Sequence, residues 1–66
     1  MESIQIAYRL LEEEMRKRGI LRFHLYKIRF EPNGMIMKVK YVDSNGELKK
    51  LKFFFDEEKK ELRPLS

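Results

Sequence analysis

The sequence predicts an α+β fold, one N-terminal helix packed on a three- to four-stranded antiparallel β-meander (αβββ or αββββ). Three observations predict it. Apolar residues recur at helical spacing over Ser3 to Arg18. Aromatic and branched residues dominate the segments that follow. Pro32-Asn33-Gly34 and Ser44-Asn45-Gly46 divide those segments with strong turn chemistry.

In the helix, Ile4, Ala7, Tyr8, Leu11 and Met15 form the expected apolar stripe. Ser3 is placed to act as N-cap. Glu12, Glu13 and Glu14 stand four residues before Arg16, Lys17 and Arg18, the spacing of intrahelical ion pairs. Gly19 follows where a left-handed residue ends a helix.

The first strand is expected within Ile20 to Phe30, the second over Met35 to Val42 and the third over Leu48 to Phe55. The polar run Asp56 to Lys60 reads as a third turn, and Glu61 to Leu65 as a short fourth strand that Pro64 would place at an edge. A two-residue Asn33-Gly34 loop would pair Phe30 with Met37, Ile28 with Val39 and Tyr26 with Tyr41. A shift of two residues keeps the same faces. A three-residue Ser44-Asn45-Gly46 loop pairs Met37 with Phe53, Val39 with Leu51 and Met35 with Phe55. One face then holds Tyr26, Ile28, Phe30, Met35, Met37, Val39, Tyr41, Leu51, Phe53 and Phe55, the natural partner of the helix stripe. The other face carries Lys27, Arg29, Lys38, Lys40, Lys50 and Lys52, with Phe23, Leu25, Ile36, Val42, Leu48 and Phe54 toward its ends.

With 66 residues, the chain is expected to form one domain over 1–66. Its net charge of +4 is concentrated on the strands: residues 1–19 sum to 0, residues 20–55 to +5 and residues 56–66 to −1. Cysteine is absent, which excludes disulfides, thiolate metal sites and cysteine nucleophiles. No apolar run is long enough for a membrane span and no signal peptide is visible, so the expected location is cytoplasmic.

Catalytic chemistry is not expected. The serines are Ser3, Ser44 and Ser66, none in a nucleophile motif, and the single histidine, His24, reads as a residue near the sheet edge. Zinc would need about four ligands, and the chain has one His and no Cys. Asp43 and Glu47 flank a turn without the spacing of a calcium loop. The glycines are single turn or cap residues, which excludes a phosphate loop ahead of a helix. No catalytic residue, cofactor, metal or small-molecule substrate is assigned.

Two function classes remain. The favoured one is a non-enzymatic scaffold or protein-interaction domain, with the lysines serving solubility and edge protection. A partner protein or a second copy would then meet the apolar residues off the core, Ile6, Leu10, Leu25, Ile36 and Phe54. The alternative is a weak, sequence-nonspecific nucleic-acid binder using the basic face of Lys27, Arg29, Lys38, Lys40, Lys50 and Lys52. The first is favoured because the central rings that would stack on bases share the parity of the core.

The chain also resembles computationally designed, de novo or redesigned, small α/β proteins. Its helix has cap, graded charges and stop glycine, its surface is mostly Glu and Lys, and Thr and Cys are absent. The same Lys/Glu bias suits a hyperthermophile protein. The order of elements, with Phe53-Phe54-Phe55-Asp56-Glu57-Glu58-Lys59-Lys60-Glu61-Leu62 after the hairpin, is similar to the PepSY domain, a small helix-then-strands module. That family's Thr-Gly turn after the Asp is missing, and no functional residue is carried over.

Overall fold

A computed structural model describes residues 3–65. Helix α1 (Ser3–Lys17) is followed by strands β1 (His24–Glu31), β2 (Gly34–Val42), β3 (Leu48–Asp56) and β4 (Glu61–Leu65). The strands form one antiparallel sheet in the order β1-β2-β3-β4, so the chain is an α+β meander with four strands. Among the described residues, no helix is long and apolar enough to cross a membrane.

The helix ends as its sequence requires. Gly19 has φ +77°, the Ile20 N–H donates to the Met15 carbonyl at 2.8 Å and the Gly19 N–H to the Arg16 carbonyl at 2.9 Å. This is the paired closure of a left-handed C′ residue. Of the three expected ion pairs, Glu14–Arg18 forms, at 3.0 Å.

The buried line of the helix is Ala7, Leu11 and Met15, which meets Met35, Met37, Val39, Phe53 and Phe55 from the sheet. The helix is rotated relative to the expected stripe. Ile4 and Tyr8 are 43% and 38% exposed, whereas Ile6 and Leu10 pack against the core. The cause is lateral position. The helix backbone comes nearest to β4, where Leu62 also joins the core, so the Ile6–Leu10 flank is covered and the opposite flank is not. Phe30, on core parity but on the far strand β1, is left 68% exposed for the same reason.

The register of β2 with β3 is the expected one, with Met35↔Phe55, Met37↔Phe53 and Val39↔Leu51. The loop between them closes as a three-residue turn with Gly46 at φ +82°, and Asp43 Oδ1 accepts from the Asn45 and Glu47 amides. The first hairpin differs. Its two-residue turn is Pro32-Asn33, with Glu31↔Gly34, Phe30↔Met35 and Ile28↔Met37. Proline holds φ near −65°, which suits the first central place of a type I turn, with glycine at its end. The shift of two residues keeps the faces as far as Lys27.

A β-bulge between Leu25 and Lys27 then changes them: Leu25 pairs with Val39 and His24 with Lys40. One extra residue on one strand inverts the side chains beyond it. Leu25 and Phe23, expected on the open face, pack against the core, and Phe23 also lies against Tyr8 with ring centroids 6.1 Å apart. Tyr26, expected in the core, goes to the open face. The exchange places a fully apolar side chain in the dry layer and leaves a phenol hydroxyl in water, where it needs no buried partner. The residues Ile6, Leu10, Leu25, Ile36 and Phe54 therefore do not form one patch: the first three are on the helix side of the sheet and the last two on the other.

Glu57 ties three elements together. Its N–H donates to the Asn33 carbonyl at 3.0 Å, its carboxylate accepts the Ser3 hydroxyl, and Lys60 approaches it at 3.2 Å. Ser3 thus docks the start of the helix on the β3–β4 turn, the role the structure shows in place of N-capping. The Ser3 and Lys60 bonds hold the Glu57 carboxyl below its ordinary 4.5. A lowered carboxylate value means that this stabilisation is present above pH 4.5 and lost as pH falls through the folded value. Ser3→Ala should bring the Glu57 titration, followed by NMR, back toward 4.5 and flatten the loss of stability on acidification. An unchanged Glu57 titration would show that the hydroxyl contact is not made in solution.

Candidate functional site

The side of the sheet away from the helix is built by strand alternation. Cross-strand pairing sets Lys27, Lys38 and Lys52 in one row across three strands, with His24, Lys40 and Lys50 in the next. A third row runs Arg29, Ile36, Phe54 and Arg63 across all four strands. All six cations expected on this face are there, and β4 adds Arg63. Neighbours in this grid are spaced about 5 Å across the strands and about 7 Å along them at backbone level.

The cations differ in their partners. Arg29 is 2.8 Å from Glu31 and Arg63 is 3.9 Å from Asp56. Among the described residues no carboxylate lies within 4 Å of Lys27, Lys38, Lys40, Lys50 or Lys52. Like charges directly opposite on a sheet are unfavourable. Lys38, between Lys27 and Lys52, shows the consequence. Its ammonium is pushed below the ordinary 10.5, first by Lys27, then by desolvation, Lys52, Arg29 and Lys50.

Two aromatic rings stand on this face. Phe54 is closed off, 7% exposed, beneath the Arg63 guanidinium at 4.6 Å from its centroid. Tyr26 is accessible, 40% exposed, with Lys40 Nζ and Lys50 Nζ 5.5 and 5.8 Å from its ring centre. Beside it, at the start of β1, is a depression of ≈ 580 Å³ bordered by Arg22, Phe23, His24, Lys40, Val42 and Leu48. Val42 and Leu48 are 64% and 60% exposed. No family model matches this chain, and no curated protein or solved structure matches it. His24 shares its depression with two cations and no carboxylate. Among the described residues no three of His, Cys, Asp and Glu gather as a metal site. Asp43 and Glu47 instead face Lys49, at 3.9 and 3.6 Å.

Sequence reasoning missed Tyr26 and Arg63. Arg63 was recoverable by extending the pairing to the fourth strand, since β3 and β4 place it opposite Phe54. Tyr26 was recoverable only by admitting a bulge. The signal was Leu25 left outside a core that contained a tyrosine.

Proposed function

We propose that this chain is a non-catalytic binding module whose open sheet face takes the backbone of a nucleic acid without reading its sequence. The observation that carries this reading is the position of Tyr26, a ring set on the open face by a bulge, 40% exposed, with the ammonium groups of Lys40 and Lys50 reaching over it. Its place lifts, for one ring, the objection that the aromatic residues belong to the core; Phe30, Tyr41 and Phe53 remain on the helix side. Phosphates laid over Lys27, Lys38 and Lys52 would also replace repulsion by attraction. Binding of this kind is driven by release of counterions from the nucleic acid and falls steeply with salt.

The test is a titration of a labelled mixed-sequence oligonucleotide. For about five phosphate contacts, affinity should fall about 100-fold for a single strand and about 500-fold for a duplex between about 50 and about 200 mM salt. Lys38→Glu combined with Lys50→Glu should abolish it. No binding to single or double strands at about 50 mM salt would overturn the proposal and leave the lysines as a solvating, edge-protecting coat.

A further inference from the structure

We infer that the nucleic acid accepted by this face is single-stranded, with one base stacked on Tyr26 and a neighbouring base seated in the depression bordered by Phe23, His24, Val42 and Leu48. The inference deepens the reading above and rests on it. The lysine grid alone cannot distinguish a duplex from a single strand, because both present phosphates. The ring and the depression can. In a duplex the bases are stacked on one another and offer only their edges in the grooves. A ring lying on a sheet cannot reach a base face there. A single strand has unstacked bases with both faces free, and every base has such a face, so stacking adds affinity without adding sequence preference.

The geometry fits this use in three respects. Tyr26 and the depression are linked through Lys40, which borders the depression and carries its ammonium 5.5 Å from the centre of the Tyr26 ring. The depression has apolar walls from Val42 and Leu48, which are exposed in the free protein, and cations from Arg22 and Lys40 at its rim. The other ring on the face, Phe54, is 7% exposed beneath Arg63, whereas Tyr26 is 40% exposed and the Lys40 and Lys50 ammonium groups over it have no carboxylate partner among the described residues, so they can turn to phosphates as a base takes the ring. The strand would therefore be anchored at the Tyr26 end and follow the lysine rows across the sheet.

Three probes separate the terms: an oligothymidine of 12 nucleotides, an abasic strand of the same length, and a duplex of the same length. The oligothymidine should bind at least about tenfold more tightly than the abasic strand. Tyr26→Ala should remove the share of one stacked base, weakening oligothymidine binding at least about fivefold while the base in the depression keeps it above the abasic level, and should leave abasic and duplex binding unchanged; Tyr26→Phe should retain most of it. The chain has no tryptophan, so Tyr26→Trp supplies a single reporter whose fluorescence oligothymidine should quench and the abasic strand should not. If Tyr26→Ala leaves oligothymidine affinity intact while the Lys38→Glu, Lys50→Glu double variant abolishes it, the stacking inference is wrong and the phosphate-binding reading stands. If none of the three probes binds, both are wrong. Equal quenching of Trp at position 26 by the abasic strand also overturns the inference.

Discussion

Replacing Gly34 by alanine should destabilise this protein by about 2–3 kcal/mol, the upper part of the range for forcing atoms into a closed space. In a domain of this size that lowers the unfolding midpoint by roughly 10–20 °C. Gly34 is not a positive-φ residue; only Gly19 and Gly46 among the glycines are. It opens β2 directly against β3, pairing with Asp56. A Cβ there would collide with the Phe55 backbone carbonyl and lie 2.7 Å from the Phe54 ring. The ring could turn aside, but the carbonyl belongs to the neighbouring strand and can only move by parting the two strands. The order of substitutions tests this mechanism. Gly34→Asn should be worse than Gly34→Ala, because the added atoms extend into the same space. A glycine required for left-handed backbone would give the reverse order, since Asn tolerates that conformation better than Ala. Urea unfolding of both variants decides between them. Gly34→Ala within about 0.5 kcal/mol of the parent would show that the strands separate easily at this end.

Lys38→Glu should move binding and stability in opposite directions. The residue stands between Lys27 and Lys52, directly opposite both. Reversal turns two like-charge pairs into two opposite-charge pairs. The unfolding midpoint should therefore rise at low ionic strength, and the gain should shrink as salt screens the charges. Oligonucleotide affinity should fall at least about tenfold, because one contact is lost and an anion is placed in the path of the phosphates. The parent carries its own signature of the same strain. With the folded ammonium pushed below 10.5, the unfolded chain binds more protons as pH rises toward that value, so stability increases through that window. Below the folded value both states are protonated and the repulsion is fully present. Lys38→Met should show less of this alkaline gain and less response to salt. A Lys38→Met protein that is less stable than the parent at low salt would mean that the stem of the lysine contributes more by packing than its charge takes away.

Much of the fold was legible because the relevant interactions are local. Gly19 and Ile20 close the helix through bonds to Arg16 and Met15, all within about one turn. The Asp43–Glu47 loop determines its own closure through the Asp43 side chain, and that loop sets the whole register of β2 against β3. Lys38, Lys40, Lys50 and Lys52 follow from alternation on β2 and β3, where no bulge interrupts it, and Lys27 and Arg29 lie on the part of β1 between the turn and the register change.

What the residues alone determined is therefore the architecture: a helix with a defined end, a meander of strands, and a basic side opposite an apolar one. Each follows from periodicity and turn chemistry acting over a few residues. The tertiary structure decided which apolar residues those faces contain. The helix lies toward β4, which partly buries Ile6 and Leu10 and leaves Phe30 uncovered; the angle and lateral offset of a helix on a sheet depend on the summed shape of both surfaces. Gly34 has its role from a carbonyl and a ring twenty residues away in the chain. The bulge at Tyr26 arises because a whole layer packs better with Leu25 inside it, and no single strand carries that comparison. A one-residue irregularity in a period-two element sends every side chain beyond it to the opposite face. That is the physical reason the accessible ring of the proposed site could not be assigned before its neighbours were in place.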